Sequence, residues 1–97
     1  MSKITQSARG EDCLVRLPGI CNRNPETVVL AHYRMAGACG MGIKPPDFMG
    51  AYACSACHDE IDRRTRHLDA ETVRLAFAEG VMRTQQILAE KGLLEAA

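Results

Sequence analysis

The sequence has no tryptophan, and its aromatic rings are limited to Tyr33, Tyr52, Phe48 and Phe77. A chain of 97 residues buries only about 60–65% of its unfolded surface, so one small core, short of rings, is what it can build. That excludes two independently folded domains and calls for a staple: disulfides, a metal or oligomerisation. Net charge is missing too, since 12 Lys and Arg face 12 Asp and Glu. Strong non-specific capture of nucleic acid by overall charge therefore finds no support. No run of 18 apolar residues occurs, which excludes a membrane-spanning helix. The first ten residues, MSKITQSARG, lack the apolar stretch of a secretory signal, so a cytoplasmic location is expected.

Cysteine, in contrast, is plentiful: five in 97 residues. In a reducing compartment cysteines hold metal more often than they form disulfides. Cys54-Ser55-Ala56-Cys57-His58 has three readings: a c-type haem attachment site, half of a zinc site, or the opening of a nuclease helix. Haem attachment normally follows export, so no haem is expected. Cys13 and Cys21 flank the Pro18-Gly19 turn and can complete a tetrahedral Cys₄ site with Cys54 and Cys57. The competing readings are buried small hydrophobes or a redox pair. Cys39, in a glycine-rich stretch with Gly37, Gly40 and Gly42, is the fifth and is expected to be a free thiol.

The pattern of apolar residues predicts strands at Cys13–Leu17 and Thr27–Tyr33, with a third extended stretch at Phe48–Ala53. A helix is predicted from Ser55 to about Arg66, with Asp59 and Glu60 early and Arg63, Arg64 and Arg66 late, which suits the helix dipole. These arginines form a basic cluster, for which a solvated face is the plainer reading. A longer helix is expected after the N-cap Asp69. Its stripe is Val73, Ala76, Phe77, Gly80, Thr84, Ile87 and Leu88, and it stops at Gly92. Gly80 marks either a close crossing or a break.

If zinc occupies the cysteines, His58 is free. His58 and Asp62 stand four apart on one helical face, where an imidazole and a carboxylate can share a divalent ion. His32, at the end of a predicted strand, can take a proton from water, although a lone strand histidine is more often structural. His67 is expected to cap the first helix or to face solvent.

The succession Cys13…Cys21…His32…Cys54-x-x-Cys57-His58-x-x-x-Asp62 resembles that of HNH, or His-Me finger, endonucleases. Small prophage-encoded nuclease-like proteins are similar over most of the chain. The matching stretches are Ala8-Arg9-Gly10, Cys21-Asn22, Asn24-Pro25-Glu26-Thr27, Leu30-Ala31-His32, Lys44-Pro45-Pro46-Asp47 and, most specifically, CSACHDEIDRR from Cys54. The resemblance implies an α+β fold: a flexible start at 1–10, a zinc-braced ββα-metal unit over 11–67 and a helix over 69–92. It implies a metal-dependent endonuclease acting on nucleic acid, with DNA the expected substrate. His32 would be the general base, and His58 and Asp62 would hold a catalytic divalent cation (Mg²⁺, Mn²⁺ or similar). Arg34, Arg63 and Arg64 would contact phosphates. Ala31 stands where many such enzymes carry a further metal-binding Asp or His. The middle Asn has no counterpart just before Cys54, and Asp47 is the nearest polar residue able to orient His32. The alternative is a zinc-braced module that binds nucleic acid, or a phage, replication or recombination protein, without catalysis.

Overall fold

The computed structural model describes residues 3–34 and 45–94; Cys39 and the three glycines around it lie outside them. In chain order the elements are helix α1 (Lys3–Ser7), strand β1 (Val29–His32), strand β2 (Gly50–Ala53), helix α2 (Ser55–Ile61) and helix α3 (Ala70–Glu90). Single 3₁₀ turns at Pro25–Thr27 and Asp47–Met49 precede the two strands. The expected loose start thus contains α1, whose Ser7 hydroxyl donates to Ile4 O at 2.6 Å. With its one hydrogen used there, Ser7 Oγ accepts from the Tyr52 hydroxyl at 2.7 Å.

β1 and β2 pair antiparallel, with Val29 opposite Ala53 and His32 opposite Gly50. Glycine is needed at position 50, because a Cβ there would lie 2.7 Å from Leu30 Cγ. The first predicted strand, Cys13–Leu17, does not form. Its backbone curls around a sulfur instead: the N–H groups of Arg16 and Val15 point at the Cys13 thiol, and Arg16 takes a φ of 55°. The segment still touches the sheet once. Leu14 N–H donates to Tyr52 O at 2.8 Å, and Tyr52 N–H donates to Thr84 Oγ1 on α3 at 3.0 Å. A loop and a helix side chain thus cover the edge of β2 that β1 does not pair, leaving no open template for another strand.

All four residues of β2 are buried. α3 lies along it and buries Val73, Phe77, Gly80, Thr84 and Leu88, close to the predicted stripe. Asp69 caps its start, with Oδ2 accepting from Thr72 N–H at 3.1 Å. Gly92, with φ 72°, follows its end. The helix runs through Gly80 unbroken, and the glycine serves a close crossing: a Cβ there would stand 3.0 Å from Val15 Cγ2 and 3.2 Å from Leu14 O.

α2 ends at Ile61 rather than near Arg66. Glu60, fully buried, ends it. Its carboxylate accepts from the Thr65 hydroxyl and from Leu68 N–H at 2.8 Å, which folds the chain back. Arg63 turns the corner with φ 60°. His67 faces solvent. Among the described residues no helix is long and apolar enough to cross a membrane.

Candidate active site and metal centre

The start of α2 is held in place by side chains of the preceding loop. Asn22 Nδ2 donates to Ser55 Oγ at 2.9 Å, and Ser55 N–H donates to Thr27 Oγ1 at 3.1 Å. These bonds bring Cys21 beside Cys54, with their sulfurs 3.8 Å apart. Cys54 caps α2 through its sulfur, which accepts from Cys57 N–H at 3.4 Å. The sulfurs of Cys13, Cys21, Cys54 and Cys57 all lie within 4.8 Å of one another. A tetrahedral zinc with Zn–S bonds of about 2.3 Å sets its sulfurs about 3.8 Å apart. The donor set and its spacing therefore fit one metal ion such as zinc.

The protons of this cluster are already unevenly shared. A hydrogen bond from Cys57 holds the Cys13 thiol well below the ordinary range, against the effect of burial, and the Arg16 N–H adds to it. The same bond to Cys13, then burial, pushes Cys57 up. Burial pushes Cys21 up as well. Binding a cation would turn these sulfurs into a full set of thiolate ligands and release their protons. Arg16 and Arg23, both at a φ of 55°, rim the hollow beside Cys13 and Cys21. Arg23 N–H also points at the Cys21 sulfur, so the left-handed backbone at both arginines serves to aim donors at sulfur.

A second group of residues gathers where the hairpin meets α2. His32 ends β1, and the 3₁₀ turn before β2 brings Asp47 Oδ1 to 2.7 Å from His32 Nε2. Both side chains are partly open, at 26% and 32% exposure. His58 Nε2 lies 3.4 Å from Asp62 Oδ2, one helical turn on. His32 and Asp62 line the same cavity, of about 500 Å³, together with Arg34 and Arg63. Arg63 is partly committed, since its Nη1 donates to Leu68 O at 3.1 Å. Arg64 is not among the lining residues; it pairs with Asp59 at 3.3 Å and stands 3.8 Å from Asp62. His58 reaches the cavity only through Asp62.

Two lining residues escape a reading of the sequence. Tyr33 and Arg74 both face this cavity, Arg74 from the first turns of α3. The spacing of Arg74 one residue after Val73 and three before Phe77 shows only that it flanks the buried stripe. Nothing in the sequence says that this end of α3 borders His32.

The model of a family described as "Putative nuclease YbcO" matches residues 2–93. Two relatives, "Putative nuclease YbcO" of Escherichia coli strain K12 and "Putative nuclease ybcO" of Enterobacteria phage 82, are each 53% identical over 96 residues, covering 99% of this chain and all of theirs. A solved structure, titled "Structure of a putative bacteriophage protein from Escherichia coli str. K-12 substr. MG1655", is similar with a TM-score of 0.79 at 51% identity, over 91% of this chain and 98% of that one. Similarity of this extent, running from one end of the relatives to the other, places the chain in the YbcO family.

Proposed function

We propose that the protein is a metal-dependent endonuclease that hydrolyses nucleic-acid phosphodiesters, with DNA the favoured substrate, on a ββα-metal (His-Me finger) unit braced by Zn²⁺ on Cys13, Cys21, Cys54 and Cys57. The relatives' names as nucleases support this reading. The observation that carries it is that His32, bonded to Asp47, and Asp62, paired with His58, face one open cavity.

The contact between His32 Nε2 and Asp47 fixes the tautomer. Nε2–H donates to the carboxylate, and Nδ1 keeps its lone pair. Nδ1 takes a proton from water as the water oxygen attacks phosphorus. Asp47 is a positioning residue, and its charge steadies the imidazolium that forms. His58 and Asp62 offer an imidazole and a carboxylate on one helical face, a donor pair suited to Mg²⁺, Mn²⁺ or a similar ion. Such a cation, when bound, stabilises charge on the phosphate and on the departing 3′ oxygen. Arg34 and Arg63 grip oxygens at the cavity, and Arg64 meets a flanking phosphate outside it.

Plasmid nicking with added Mg²⁺, Mn²⁺ or Ni²⁺ tests the proposal. Nicking is expected to depend on the metal, to vanish in EDTA and to fall by about 10²–10⁴ in a folded His32→Ala protein. If no ion gives nicking above the level of His32→Ala, the chain is a zinc-braced binding module instead.

A further inference from the structure

The cavity beside His32 contains more than phosphodiester hydrolysis requires. Cutting a backbone needs a base, a cation and positive charge. This hollow also has an apolar floor, made by Ile61 of α2 with Val73 and Phe77 of α3. Tyr33 stands at its wall, with its ring centroid 4.9 Å from that of Phe77 and the planes at 50°. Arg34, Arg63 and Arg74 line the same space. Arg34 and Arg74 have no ion-pair partner among the described residues. At about 500 Å³ the hollow falls within the range of sites that enclose a small planar ligand, about 300–1,000 Å³.

We propose that this cavity is a nucleobase pocket, and that the substrate is a single-stranded or locally unpaired strand with one base lodged against Tyr33 and Phe77. Aromatic faces and guanidinium planes stack on any base, whereas phosphates gain nothing from an apolar floor. Arg63 stands 3.9 Å from the buried Glu60 carboxylate, so it is Arg34 and Arg74 that make the rim complementary to a polyanion, although the chain as a whole is neutral. In a duplex, the bases are stacked and paired, and none can enter without being flipped out at a cost. His32 lines the same hollow, which would set the scissile phosphate next to the lodged nucleotide. The pocket rests on the nuclease reading only for that last point; base capture itself is independent of cleavage.

The test is fluorescence anisotropy with full-length, non-cleaving His32→Ala protein and three labelled probes. These are a short single strand of mixed sequence, the same strand with abasic sugars throughout, and the duplex. The intact single strand is expected to bind about 10-fold or more tighter than the abasic strand, and tighter than the duplex. Adding Tyr33→Leu or Arg74→Gln is expected to shrink that gap. Arg74 is exposed, so its variant keeps the test valid if loss of the Tyr33 ring unfolds the chain. Equal affinity for intact and abasic strands, no binding of either, or binding as tight to duplex would each overturn the pocket. Plasmid nicking alongside equal affinities would refute the pocket and leave the nuclease standing. Base-dependent affinity without nicking would do the reverse.

Discussion

Glu60 shows how one buried carboxylate sets the local structure. It has no solvent exposure. The Thr65 hydroxyl first, then the Leu68 N–H, hold its pKa below the ordinary carboxylate range, while burial pulls the other way. The sign follows from linkage: a depressed folded-state pKa contributes stability that is complete above the unfolded value, near 4.3, and is lost as pH falls through the folded value. Thermal melting from about pH 3 to about pH 7 should therefore show the wild type losing stability at the acid end. Glu60→Gln, which cannot accept both bonds with equal strength, should melt lower at neutral pH and with a flatter acid limb. Parallel curves for the two proteins would refute this role. The residue reads as an ordinary helix carboxylate in the sequence, because its partners, Thr65 and Leu68, lie beyond a turn whose left-handed corner at Arg63 has no glycine to announce it.

At the scale of elements, α3 carries the clearest sequence signals. Its cap at Asp69, its buried stripe and the Gly92 stop all follow from spacing and residue type. Gly80 adds a test. Alanine there would gain about 1 kcal/mol of helix propensity. The new methyl, however, would press at 3.0 Å on Val15 Cγ2 and at 3.1 and 3.2 Å on the backbone of Val15 and Leu14, and overpacking of this kind costs about 1–3 kcal/mol. The obstructing atoms include backbone one and two residues from Cys13, so they yield poorly. Gly80→Ala is expected to lower the melting temperature by several degrees in circular dichroism; a rise would mean that the loop gives way. The strand expected at Cys13–Leu17 was the element least legible. Alternation of apolar residues marks burial, not the route of the chain, and here the Cys13 sulfur competes for the N–H groups that a ladder would use. The contact between His32 and Asp47 was half visible: the residue types were evident, but their meeting depends on the register that sets His32 opposite Gly50. Arg74 and Tyr33 could not be found at all, because helix packing, not periodicity, brings α3 to the hairpin.

For the whole molecule, the sulfur cluster ties the N-terminal loop to α2, joining residues 13 and 21 to 54 and 57. Zinc held on these four thiolates would supply about 10–16 kcal/mol of binding free energy. The net stability of a domain is about 5–15 kcal/mol. Protein stripped with a chelator should therefore lose its cooperative melting transition and recover it with one equivalent of Zn²⁺, releasing protons as the four thiols ionise. Unchanged melting after verified metal removal would show that the core stands without the ion.

Cys57 and His58 are consecutive residues of α2, so the knot and the proposed metal-binding pair, His58 and Asp62, share one short rod. From Cys57 to Asp62 the rise is about 7.5 Å. A tilt of about 10° at the sulfur end would swing the Asp62 carboxylate by about 1.3 Å, and displacements near 1 Å can cost about 10²-fold in rate. On the proposed function, the knot is thus the pivot of a lever whose far end carries a ligand of the catalytic cation, and the tolerance of that site is set by the stiffness of the four sulfurs. Substitutions around the cysteines should be felt first as lost turnover, before any loss of fold becomes measurable.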